Sequence, residues 1–299
     1  MNKKILLLTI VIFFTLILVA CTNNEEDLTL SIGIMPAVDS APILLADELG
    51  YYEELGLDIS IDIYTDANLR QTALQSGELD GAMTDLIAFV NNVQHDFDIK
   101  ITTSTDGVFP VLVSSDFEER ENIRIGMMEV SVSNFLSDQY LSEEYVMEKL
   151  FIPAIPTRLE MMVAGQMDMA IIPEPMASMG QLRGLDKRVY ENEYEFMPEA
   201  MIFTGRAIEE KEEAIALFHQ AYDMAVRDIQ EDDISAREVL IERLELNPEI
   251  KEMIVMPEYH LTRVPDQEYM NIVINWVEDV QDMEIDVAYE DMIERKFLD

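Results

Sequence analysis

The groups from which chemistry could be built are unevenly supplied. The chain has three histidines, His95, His219 and His260, and one cysteine, Cys21, against sixty Asp and Glu. The histidines lie far apart, and none stands in a metal-binding or nucleophile-activating pattern. There is no H-E-x-x-H helix, G-x-S-x-G elbow, phosphate-binding glycine loop or dinucleotide fingerprint. Carboxylate pairs such as Asp232-Asp233 follow from composition and carry no signal of paired acid–base work. One cysteine forms neither an internal disulfide nor a Cys-cluster metal site. No catalytic residue, metal or cofactor is therefore expected, and the chain does not read as an enzyme.

What the sequence offers instead is hydroxyls and carboxylates placed where apolar segments end. The candidates are Asp39 and Ser40, Thr84 and Asp85, Asp106 with Phe109, Ser131 and Ser133, and Glu174. The polar members can hydrogen-bond a small ligand, and Phe109 offers an apolar or stacking wall. Each Ser, Thr or Asp is equally readable as a helix cap that touches no ligand. Only convergence of several on one cleft marks a site. The loops that hold them, 36–40, 84–86, 106–109, 129–133 and 173–176, contain no Lys or Arg. Arg70 and Arg158 read as surface or packing residues at the wrong ends of their helices. With Asp39, Asp85, Asp106, Glu129 and Glu174 nearby, a desolvated anion is disfavoured. The loops thus favour a neutral or cationic ligand.

The elements that must position these residues read as alternating strands and helices. Strands are expected over 28–35, 57–64, 81–84 and 99–104, separated by helical stretches of about ten residues, a pattern of mainly parallel sheet covered on both faces. Asp85 is expected to cap the helix that follows it, and Gly77 to close the helix over 68–76. The unit then repeats. Arg70-x-x-Ala73-x-x-Ser76-Gly77-x-Leu79-Asp80-x-Ala82 recurs as Arg158-x-x-Met161-x-x-Ala164-Gly165-x-Met167-Asp168-x-Ala170, each copy downstream of an Ile-Gly strand. Two such copies predict two similar lobes. The last third is helical, with stretches over 209–230, 235–244 and 266–283 and a further helix starting at Asn247-Pro248. Tyr269, Ile272, Val273, Trp276 and Val280 make one apolar face of the last.

Lys3 and Lys4 precede an apolar run from Ile5 to Ala20, the length of a signal-peptide core and short for a spanning helix. The run ends Leu18-Val19-Ala20-Cys21, which resembles a bacterial lipobox. That resemblance implies a signal peptide over 1–20, acylation of Cys21 and a polar tether over 21–27. A signal anchor with an incidental cysteine is the alternative. The formal charge of −40 is spread along the chain, which marks a solvated acidic surface and excludes nucleic acid as the main partner.

The stretch Ile32-Gly33-Ile34-Met35-Pro36-Ala37-Val38-Asp39-Ser40-Ala41-Pro42, with Gly50-Tyr51-Tyr52, resembles the opening of the ABC-transporter solute-binding proteins that handle thiamine precursors, sulfonates and nitrate. So do Leu74-Gln75-Ser76-Gly77-Glu78-Leu79-Asp80-Gly81, Ile155-Pro156-Thr157-Arg158 and Ile172-Pro173-Glu174-Pro175. The resemblance covers residues 28–205 well. It implies a two-lobed type II periplasmic-binding α/β fold with two crossings, lobe one at 28–113 plus 201–299 and lobe two at 114–200. It also implies a small-molecule ligand between the lobes, an ABC permease and its ATPase as partners, and a monomer held by lipid on the extracytoplasmic face of the cell membrane. A pyrimidine precursor of thiamine fits the loop charges; a sulfonate or nitrate is the alternative. A sensor module, or a pyrimidine-synthesising enzyme on the same fold, are the readings from other classes.

Overall fold

The computed structural model describes residues 28–298. The signal peptide over 1–20, Cys21 and the tether lie outside the described residues. The apolar alternation of Leu30, Ile32 and Ile34 gives a buried strand, β1 (Thr29–Ile34). Beside it run the edge strand β2 (Asp58–Ile63) and β3 (Gly81–Asp85), both parallel to β1. Parallel neighbours need crossover connections, which helices Ala41–Glu48 and Ala67–Ser76 supply. β4 (Ile99–Ser104) follows helix Leu86–Gln94.

The chain then crosses. β5 (Val111–Val113), β6 (Asn122–Met127), β7 (Val146–Phe151), β8 (Met169–Ile171) and β9 (Asp186–Arg188) form a second sheet in the order β7-β6-β8-β5-β9. It returns as β10 (Glu199–Thr204), which inserts antiparallel between β3 and β4, so the first sheet runs β2-β1-β3-β10-β4. β5 inserts antiparallel between β8 and β9 in the same way. Each sheet is thus mainly parallel, with one reversed strand delivered by a crossing. The domain boundaries read from the sequence need correction here. Residues 111–113 belong to the second sheet and Glu199 and Ala200 to the first, so the crossings fall earlier, before β5 and before β10. A short strand buried on both faces carries no pattern that says which sheet it joins.

The internal repeat has a physical basis. A Cβ at Gly33 would stand 2.6 Å from Leu79 Cδ1, and one at Gly126 would stand 2.4 Å from Met167 Sδ, so the two Ile-Gly strands make room for equivalent side chains. The repeated aspartates are also equivalent. Asp80 Oδ2 accepts the Ser31 N–H at 2.9 Å and Asp168 Oδ2 accepts the Arg124 N–H at 2.8 Å, each closing the entry of a parallel pair. Gly77 and Gly165 take the left-handed backbone that ends each helix, at φ of 78° and 66°.

The helical third covers the first lobe and one flank of the second. The long stretch expected over 209–230 is two helices, Gly205–Glu210 and Glu212–Glu231. Thr204 caps the first, and Lys211, at φ −131°, separates them. Asn247 does cap as expected, but only one 3-10 turn, Pro248–Ile250, follows it. Helix Gln267–Gln281 buries Tyr269, Met270, Val273 and Val277, whereas Val280 is 45% exposed and leaves the expected stripe. Trp276 reaches across to the second lobe, its ring edge-on to Phe135 at 5.5 Å and its N–H donating to Asp138. Among the described residues no helix is long and apolar enough to cross a membrane.

The tightest point of the first sheet is Gly81, where a Cβ would stand 2.6 Å from the Ile202 carbonyl oxygen and 2.5 Å from the Phe203 ring. Backbone cannot move aside as a side-chain tip can. Gly81→Ala is expected to cost about 1–3 kcal/mol of stability, read as a lowered thermal midpoint with the far-UV spectrum unchanged.

Candidate functional site

The carboxyl ends of both sheets face one another, and the gap between them is a cleft with about 560 Å³ of atom-free space. Ligands in open α/β sheets sit at such strand ends, where loops and helix N-termini meet. Met35, Ala37, Asp39, Ala67, Arg70, Met83, Asp85 and Glu199 wall it from the first lobe. Phe109 walls it from the crossing, and Met128, Ser131, Val132, Ser133, Pro153, Ile155, Arg158 and Pro173 from the second.

Of the residues singled out in the sequence, five reach this wall: Asp39, Asp85, Phe109, Ser131 and Ser133. Asp39 is buried. Its Oδ2 accepts from Thr105 Oγ1 at 3.3 Å, while Oδ1 has no partner. Burial pushes its carboxyl from 3.8 up to about 7, eased by hydrogen bonds from its own backbone and from Thr105. Asp85 caps helix Leu86–Gln94 through the Ala88 N–H at 2.7 Å. Backbone N–H groups of Ile87 and of Val132, across the cleft, also point at it. Burial nonetheless raises it to about 6. Ser131 Oγ donates to the Met128 carbonyl and shares a 2.7 Å contact with Ser133 Oγ, which accepts the Met128 N–H. Neither hydroxyl has an imidazole among these partners.

Four expected residues lie off the wall. Thr84 stands one layer behind it, its Oγ1 accepting from Arg70 Nη2 at 2.9 Å. Ser40 turns its hydroxyl back to the Ala37 carbonyl. Asp106 faces the rear of the crossing, accepting from the His260 N–H at 2.8 Å and from Arg263 Nη2 at 3.2 Å. Glu174 is fully buried in an ion pair with Lys187 and accepts from Ser178 and from the Val255 N–H. Lys187 also donates to the Met253 carbonyl, and the Val38 N–H donates to the Glu174 carbonyl. Glu174 and Lys187 therefore tie the lobes together at one side of the cleft.

The larger correction concerns Arg70 and Arg158. Both are only 4% exposed, and both line the cleft. In a parallel unit the helix after a strand begins at the carboxyl end of the sheet. Arg70 and Arg158 sit in the first turns of helices Ala67–Ser76 and Ile155–Val163, at the mouth and not at the far end. Arg70 lies among Asp85, Glu199 and Asp39, whose charges offset the lowering that burial imposes on it. Arg158 Nη1 donates to Ser133 Oγ at 3.2 Å and to the Ile171 carbonyl at 3.1 Å, while its Nε has no partner. Burial lowers it to about 10. Glu199, first residue of the returning strand β10, is the third ionisable wall residue that sequence reasoning missed. Burial first, then Asp39 and Asp85, raise its carboxyl well above the ordinary range. The repeat held the signal for the arginines, since both copies open on Arg. Among the described residues, no group of three or more His, Cys, Asp or Glu is placed to hold a metal ion.

The family model described as NMT1/THI5 like matches residues 37–233, and the chain belongs to that family. Its fold is that of ABC-type binding components. The ligand-binding component of an ABC-type import system from Staphylococcus aureus, solved with zinc bound, superposes with a TM-score of 0.77 at 13% identity, over 90% of this chain and 97% of that one. The alkanesulfonate-binding protein SsuA from Xanthomonas axonopodis pv. citri, bound to MOPS, gives 0.66 at 17% identity over 86% and 92%. The nitrate-binding protein NrtA from Synechocystis gives 0.65 at 12% identity over 91% and 92%. No curated protein matches the chain by sequence.

The raised carboxyl of Asp39 has a stability consequence. Between 3.8 and about 7 the folded state holds a proton that the unfolded state releases. Stability therefore falls as pH rises through that window. Asp39→Asn removes this contribution. Its thermal midpoint relative to the unaltered protein is expected to climb from about pH 5 to about pH 8; a difference that is flat in pH would exclude the assignment.

Proposed function

We propose that this member of the NMT1/THI5-like family is an extracytoplasmic solute-binding protein that captures a small molecule between its lobes and delivers it to the permease and ATPase of an ABC importer. The cleft carries this reading. It is walled by both lobes at the carboxyl ends of their strands, where small ligands bind in α/β sheets. Its walls combine apolar surface from Met35, Met83, Met128 and Phe109 with a few buried polar groups. Methionines adapt to irregular ligand shapes. Relative motion of two lobes about their crossings would load and release the ligand. The Staphylococcus aureus protein of the same fold is the binding component of an import system, which supports the same role here.

The ligand reading changes with the arginines. The loops argue for a neutral or cationic heterocycle such as a pyrimidine precursor of thiamine, and Asp39 and Asp85 remain suitable acceptors for its N–H groups. The argument against an anion, however, rested on the absence of basic residues. Arg70 and Arg158 remove that premise, and the relatives named for alkanesulfonate and nitrate take anions. The cleft is equipped to take an anionic group.

Acylation of Cys21 would hold the protein at the membrane, with residues 22–27 as the tether. Two measurements test the reading. Native mass spectrometry of protein purified without denaturation should reveal a bound small molecule that is lost on unfolding. Cys21→Ser should move the protein from the membrane fraction to the soluble extracytoplasmic fraction. Failure to retain or bind any small molecule, or unchanged membrane association of the variant, would count against capture and anchoring respectively.

A further inference from the structure

Each lobe contributes to the cleft wall a residue with a buried polar atom that has no hydrogen-bond partner in the protein, and the two residues are of opposite charge type. On the first lobe it is Asp39 Oδ1, in a residue 1% exposed. On the second it is Arg158 Nε, in a residue 4% exposed. Buried polar groups are satisfied in the great majority of cases, and a desolvated charge without a partner is costly. A ligand that reaches these two residues, one on each wall, supplies partners they lack.

The surroundings make the two ends chemically distinct. The first lobe's wall holds three carboxyl groups, Asp39, Asp85 and Glu199, around a single guanidinium, Arg70. Arg70 already donates to Thr84, and Asp85 is engaged by backbone N–H groups. That wall has acceptors in excess. On the second lobe's wall Arg158 is the only charged residue, and its partners, Ser133 Oγ and the Ile171 carbonyl, are neutral. That wall has a cation with no counter-charge. The same cleft is lined by Met35, Met83, Phe109 and Val132, which suit an apolar body.

We propose that the cleft selects an amphoteric small molecule, its anionic group held by Arg158 of the second lobe and its positively charged nitrogen by Asp39 of the first. Such a ligand offers a partner to each of the two residues at once and adds no net charge to the buried site. It also bridges the lobes, so its two ends must be present together for closure to be favourable. A plain anion leaves Asp39 unsatisfied, and a plain cation leaves Arg158 so. This assignment rests on the solute-binding reading and narrows its ligand class.

Calorimetry and thermal shift with two matched triads test it: γ-aminobutyrate against butyrate and butylammonium, and taurine against ethanesulfonate and ethylammonium. In each triad the amphoteric member is expected to bind tighter than either single-charge member by roughly 10- to 100-fold. Asp39→Asn should shrink the preference over the plain anion, and Arg158→Gln the preference over the plain cation. Because Arg158→Gln can disturb folding, the ranking in the unaltered protein decides independently. A single-charge member that binds as well as the amphoteric one, or no binding by either triad, overturns the inference. Retention of a different small molecule in native mass spectrometry would still leave the solute-binding reading standing.

Discussion

The arrangement depends on how two reversed strands satisfy their backbone hydrogen bonds. β5 and β10 each leave one sheet's sequence neighbourhood and insert between two strands of the other. A buried strand must pair on both edges, because an unpaired N–H or C=O away from water is costly. Each insertion therefore fixes where the chain crosses. The two crossings then hold the sheets with their carboxyl ends face to face. The cleft, its depth and the residues that reach it all follow from that constraint.

Within this frame few of the acidic residues are interior. The formal charge of −40 lies mostly on solvated surface, where charges interact weakly and keep the chain soluble. The buried ionisable groups are organised differently. Glu174 and Lys187 are paired at the side of the cleft and use their remaining capacity on both lobes. Asp106, Arg263 and His260 form a second polar knot behind the crossing. Removing one partner from such a pair leaves an uncompensated charge, which is why these groups read as fixed structure. At the wall itself the charges are left open, with acceptors in surplus on one side and a lone guanidinium on the other. The knots pair each charge with its opposite, whereas the walls set charges of opposite sign on the two sides of the cleft.

The repeat illustrates how one sequence signal can carry two meanings. Its Gly and Asp serve the scaffold, ending helices and closing strand pairs. Its Arg serves the cleft in both copies, from the first turn of the helix. Reading the motif as fold alone accounts for Gly77, Gly165, Asp80 and Asp168 and misplaces Arg70 and Arg158. The direction of chain travel through a parallel unit decides which end of the helix meets the ligand.

Local pattern was enough for most elements, because alternation, caps and glycine stops act over a few residues. The strands at 29–34, 58–63 and 99–104, the caps at Asp85 and Asn247 and the stop at Gly77 are all written that way. So is the doubling of the unit, since both copies repeat the same short-range rules. Long-range pairing was not written locally. Which sheet takes Val111–Val113, that Glu199 begins a returning strand at the wall, and that Glu174 turns away to Lys187 depend on partners beyond any local window. A carboxylate's role is set by the charges and dipoles within a few ångströms of it, and only the folded chain brings those together.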